Sequence, residues 1–109
     1  MPFLRTIMGT SFGELGHANK LRGLVDSANP SYRGKHALIR SWLIEFDEDG
    51  APWREIGLDK NEAIVVAGPS AQDYGFWLDT NMRYADFEGE QIAGEYFEKL
   101  WAASGVVAP

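Results

Sequence analysis

The chain has no cysteine. That removes disulfides, thiolate metal sites and cysteine nucleophiles at once, and it fits a reducing compartment. Histidine is nearly as scarce: His17 and His36 are the whole supply, and their separation is not a short metal-ligand spacing. Gly-rich phosphate loops of the Gly-x-Gly-x-x-Gly or Walker type do not occur. Apolar runs are all far shorter than a membrane span. Residues 1–16 carry one basic residue, Arg5, and only the short runs Phe3-Leu4 and Ile7-Met8, too little for the apolar core of a secretory signal. These absences lead to the expectation of a cytoplasmic protein with no bound cofactor, no metal and no membrane.

Basic residues are scarce in one part only. Residues 1–42 hold six basic and two acidic side chains, whereas residues 43–109 hold four and fourteen, within a net charge of −6. A surface so acidic disfavours nucleic acid, which needs clustered Lys and Arg, and suits a protein partner with a basic surface. With 109 residues, 45 % of them hydrophobic and 13 % aromatic, the chain is expected to form a single domain over 1–109 with a real core.

Short apolar runs separated by turn residues dominate the middle of the chain. Ala37–Phe46 is apolar on both faces and predicts a central strand. After the breaker Asp47-Glu48-Asp49-Gly50-Ala51-Pro52, runs at 53–58, 63–67 and 74–79 predict an antiparallel meander, with turns at 59–62 and 68–73. Gly57 and Gly75 inside these runs predict a bulge or a close approach, with Trp53 and Trp77 as the side chains to cover them. Residues 1–10 suit a short edge strand or an ordered arm.

Two helices are predicted. Ser11 with Glu14 forms a capping-box pattern at the head of an N-terminal helix over 11–28. Ile92, Ala93, Tyr96, Phe97, Leu100 and Trp101 make an amphipathic stripe over 90–103, ending at Gly105. The expected fold is therefore α+β: a four-stranded, mainly antiparallel meander sheet packed against the C-terminal helix, with the N-terminal helix on an edge or on the second face.

Catalytic motifs do not close. Gly9-Thr10-Ser11-Phe12-Gly13 matches the nucleophile elbow, but Glu14 is the sole acid between Ser11 and His17, and a single small domain lacks the large sheet that positions such a triad. Asp47-Glu48-Asp49-Gly50 begins like a calcium loop, yet Ala51 and Trp53 stand where ligands belong and Leu58 where the final glutamate belongs. Glu45, Glu55 and Asp79 fall at strand positions, where a carboxylate must face water or find a partner; Arg40 and Arg54 are placed to pair with them.

The series Trp53-Arg54-Glu55-Ile56, Val65-Val66-Ala67 before Gly68-Pro69-Ser70, Asp73-Tyr74-Gly75-Phe76-Trp77-Leu78-Asp79 and Glu95-Tyr96-Phe97-Glu98-Lys99-Leu100-Trp101 resembles small uncharacterised bacterial domains, some of them similar to toxin-immunity proteins. The resemblance spans residues 42–101 and rests on structural, non-catalytic motifs. It implies a binding module, one form of which is an immunity-type inhibitor. Glu45, Asp47, Glu48, Asp49, Trp53, Asp73 and Tyr74 are the expected partner-binding residues, chosen for charge and aromatic character. The competing expectation is a small enzyme or ligand-binding domain with a site at the sheet–helix interface built from His36, Arg40, Glu55 and Tyr74. Homo-oligomerisation through strand 37–46 is a third.

Overall fold

A computed structural model describes residues 2–7, 32, 34–78 and 80–107. The helix expected over 11–28, the Gly9–Gly13 motif, His17 and Asp79 lie outside them. Among the described residues, five strands form one antiparallel sheet: β1 (Phe3–Thr6), β2 (Ser41–Phe46), β3 (Pro52–Leu58), β4 (Ile64–Gly68) and β5 (Glu90–Gln91). Their order is β4-β3-β2-β1-β5, and one helix, α1 (Gly94–Ser104), crosses one face. The fold is α+β, with the meander at 41–68 as expected.

The N-terminal run is a strand but not an edge. β1 pairs with β2 along Phe3↔Glu45 to Thr6↔Trp42, and on its other side with Glu90 and Gln91. That second pairing draws Glu90-Gln91 out of the predicted helix, which therefore begins at Gly94. Its stop is as expected: Gly105 takes φ 72°, the left-handed conformation that glycine adopts without steric cost.

Two further expectations fail for identifiable reasons. The 37–46 run pairs only from Ser41, because residues His36–Leu38 wind into a 3-10 turn and leave Leu38 exposed. The 74–78 part of the run expected at 74–79 is not a strand at all. Gly75 has φ +101°, a strand-breaking value, and the N–H groups of Phe76 and Trp77 donate to the Glu55 carboxylate, not to a neighbouring strand.

β2 is sealed on both faces, as its two-sided apolar pattern requires. Trp42, Ile44 and Phe46 join Leu4, Ile39, Val66, Trp77 and Tyr32 in one cluster. Leu43 joins Ile56, Leu58, Ala67 and Phe97 in another, beneath α1. Within β2, Trp42 to Phe46 are buried by the chain's own residues, while Leu38 before it is exposed. The first cluster is roofed by the 76–87 segment through edge-on rings: Phe46 with Tyr84 and Phe87, and Trp77 with Phe87, at 5.0–5.2 Å between centroids.

Gly57 does mark a close approach and a bulge. The β3–β4 register shifts between Gly57 and Leu58, and a Cβ at 57 would lie 2.9 Å from Val66 and 3.0 Å from Ile39. The covering side chains are these aliphatics, not the tryptophans. Trp53 is exposed, and Gly75 sits against Leu78 and Glu55.

Among the described residues, two cations fasten the helix: Arg5, which donates to the Tyr96 hydroxyl at 3.2 Å, and Arg54. Arg54 donates to Glu45 on β2 at 2.5 Å and to Glu98 on α1 at 2.6 Å. Its guanidinium carbon lies 5.0 Å from the ring centroids of both Phe97 and Trp101. Glu45 and Arg54 are direct cross-strand partners, so the expected strand ion pair exists, but it is buried under the helix. Arg54→Ala leaves Glu45 buried without its counter-charge and removes two ring contacts. The expected loss is about 2–4 kcal/mol in urea unfolding, with Arg54→Lys recovering less than half because an ammonium cannot reach both carboxylates in one plane.

Candidate functional site

Three places on the molecule gather functional-type side chains: a buried carboxylate on β3, the acidic β2–β3 hairpin, and a groove along β4. On β3, Glu55 shares the face of Gly57 and looks away from α1. It is wholly buried. Its Oε2 accepts the Tyr32 hydroxyl at 2.8 Å and the Phe76 N–H at 2.6 Å, and its Oε1 accepts the Trp77 N–H at 2.6 Å. Burial pushes the Glu55 carboxyl above its ordinary value, and the donated hydrogen bonds pull it only part of the way back. The Tyr32 hydroxyl is raised far above its ordinary value by burial and by the Glu55 charge, so it remains a proton donor throughout the physiological range.

This arrangement is an anchor. Both carboxylate oxygens are occupied by groups that hold the 75–78 turn and residue 32 onto the sheet. The competing enzyme set does not assemble around it. Arg40 is exposed and turns its guanidinium back to the Ala37 carbonyl at 2.6 Å, Tyr74 is 71 % exposed, and Glu55 is sealed on the face opposite the helix. His36 lies in the 3-10 turn. Tyr32, the hydroxyl partner, escaped the sequence reading; an in-phase glutamate on an apolar strand face was the available signal that some donor must come to it.

The expected partner-binding residues divide. Glu45 is buried with Arg54. Asp73 is 4 % exposed; its Oδ2 accepts the Ser70 hydroxyl at 2.8 Å, which closes the 70–73 turn. Neither belongs to a surface patch, because each carboxylate supports its own backbone. Asp47 likewise spends Oδ1 on the N–H groups of Asp49 and Ala51, both at 2.9 Å, shaping the hairpin. Glu48 and Asp49 remain exposed at its tip, and Trp53 follows on β3 with 56 % of its surface exposed. Among the described residues, no three histidine or carboxylate side chains gather to hold a metal.

The groove holds about 610 Å³ beside β4. Its floor is Ile64–Ala67; the 70–73 turn forms one wall and the end of α1 with Val106 and Val107 the other, while Tyr32 and Lys35 reach in. The expectation of a partner-binding role for Asp73 and Tyr74 falls on the loop beside this groove, whose lining includes Asp73 but not Tyr74.

No family model, curated protein or solved structure matches the chain. No helix among the described residues is long and apolar enough to cross a membrane.

The Glu55 anchor has a definite pH signature. A carboxyl whose folded value is raised contributes its full stability below its ordinary value of 4.5, and that contribution is lost as pH rises through the folded value. Glu55→Gln turns an amide N–H₂ toward donors, so it is expected to cost about 1–3 kcal/mol at pH near 4.5. Urea unfolding of both proteins should then show the gap narrowing as pH is raised. A gap that widens with pH would mean that the pocket favours the carboxylate.

Proposed function

We propose that the protein is a small binding module that docks a partner with a basic surface at the β2–β3 hairpin. The observation that carries this reading is an exposed tryptophan directly after an exposed acidic tip: Trp53 behind Glu48 and Asp49. Tryptophan leads among residues that dominate interface energy. The surrounding carboxylates would steer a basic partner and fix its orientation. Asp47 supports the tip by holding the turn, and the Gly50 carbonyl accepts the Tyr84 N–H at 2.7 Å, which ties the hairpin to the 84–86 turn. A preformed loop loses little entropy on binding.

The immunity-type form of this reading makes the partner a toxin whose basic site the hairpin covers. It is supported by the charge of −6 and by the saturation of Glu55, which leaves no open acid–base group at the centre of the sheet.

The test is affinity capture from native lysate with wild-type protein, Trp53→Ala and the double variant Glu48→Lys/Asp49→Lys. These exposed positions should change stability by no more than about 0.5 kcal/mol. Trp53→Ala should weaken the captured partner by about 2 kcal/mol or more, and the charge reversal should slow association, as should raising salt from about 0.05 M to about 0.5 M. Equal retention by all three proteins at both salt concentrations would refute the hairpin as the docking surface.

A further inference from the structure

The two edges of the sheet are built differently. One edge is β5, two residues long, with both side chains exposed and one of them charged. Short length and charge are the usual protections of a strand edge. The other edge is β4, and it has neither. Ile64-Val65-Val66-Ala67-Gly68 carries no charge and no proline, and it pairs with β3 along one side. No strand among the described residues occupies its outer side. An outer edge presents N–H and C=O groups from alternate residues at strand spacing, and the group that matches such a row is another extended backbone.

That edge is also the floor of the 610 Å³ groove, whose walls are mostly small or aliphatic: Ala71 on one side and Ala103, Val106 and Val107 on the other. Val107 is 79 % exposed, an aliphatic wall facing open space. The exposed charge in the groove is opposite in sign to the net charge of the molecule. Its lining has two charged residues, Lys35 and Asp73. Asp73 is buried and bonded to Ser70, whereas Lys35 is exposed and in no ion pair among the described residues. In a chain of net charge −6, the exposed charged side chain at this edge is a cation.

We propose that the β4 edge is a peptide-docking groove, which takes an extended, mainly apolar segment as a sixth strand with a carboxylate of that segment set against Lys35. The backbone row selects an extended chain, the walls select alternating apolar side chains, and Lys35 selects the acid. A second copy of the protein fits less well: its β4 brings no carboxylate, and two chains of charge −6 repel on approach. The groove is distinct from the acidic hairpin, which would repel the same peptide.

The experiment is selection from a phage-displayed library of random peptides of about nine residues, long enough to span β4 and its flanks at ~3.3 Å per residue. The immobilised full chain is the bait, and synthetic winners are then titrated by calorimetry. Expected winners alternate apolar residues and carry an acid at a fixed place. Lys35→Glu should weaken them about fivefold or more. A repeat selection on Lys35→Glu should replace the acid with a base, while Val107→Glu should weaken the original winners similarly. Both changes are at exposed positions, so folding is checked simply by circular dichroism. In NMR, a bound winner should slow amide exchange within 64–68. No enrichment over a blank surface overturns the proposal. So do winners indifferent to both substitutions, or sedimentation showing a dimer that Val107→Glu dissociates, since a second copy would then hold the groove.

Discussion

A glutamate with no solvent contact is an expensive thing to place at the centre of a sheet. Desolvating a carboxylate costs several kcal/mol even after the protein relaxes, and the cost is met only if donors surround it. Glu55 draws its donors from two distant stretches, the hydroxyl of Tyr32 and the backbone N–H groups of Phe76 and Trp77. Those bonds cross 23, 21 and 22 residues of chain respectively. They turn the 75–78 segment away from strand pairing and lay it over the sheet. Phe76 then stacks on Trp42 at 5.4 Å, and Trp77 packs edge-on to both. The same bonds bring the Tyr32 hydroxyl against Gly68, where no larger residue could stand beside it. Tyr32 in turn lines the groove at β4. The roof of one face and the shape of the groove thus share a single buried anion.

Two of the sheet's glutamates show how environment divides one residue type into two roles. Glu45 and Glu55 sit on adjacent strands and opposite faces. Beneath the helix, Glu45 meets a guanidinium that also reaches Glu98 and touches two rings, so the charge is balanced by a charge. On the other face no cation among the described residues pairs with Glu55, which is balanced by dipoles. Dipoles compensate less completely than an opposite charge, which is why burial wins at Glu55 and its carboxyl rises.

Much of the fold was legible because periodicity speaks directly to burial. The two-sided apolar pattern at Trp42–Phe46, the breaker at Asp47–Pro52 and the stripe Tyr96-Phe97-Leu100-Trp101 each obey a local rule, and the structure follows them. The failures are non-local. Tyr74–Leu78 has a strand's composition, but Gly75 and a carboxylate on β3 redirect its backbone; nothing within the segment announces a bond that spans the chain. Glu90-Gln91 reads as the opening of a helix until β1 offers it two partners. The site was less legible for the same reason. Acidic residues were judged by charge, yet Glu45 and Asp73 are inside, Asp47 is half-occupied by its turn, and only Glu48, Asp49, Trp53 and Tyr74 of the expected set stand at the surface. Charge type is printed in a sequence; which carboxylate is needed by its own backbone is not.

The two proposed surfaces make opposite electrostatic demands, and that bears on how one small chain could serve both. A basic partner approaching the hairpin is drawn by the whole field of a −6 molecule, so its association should respond strongly to salt. A peptide carrying an acid must approach against that field, and its hold on β4 would come mainly from neutral backbone hydrogen bonds and apolar contact, with Lys35 as a local correction. Such binding is slow to form and weakly dependent on salt. The hairpin lies at one end of β3 and the turn leading into β4 at the other, so occupation of one need not obstruct the other. Both surfaces nevertheless share β3: Trp53 and Glu55 are two residues apart on the strand that pairs with β4.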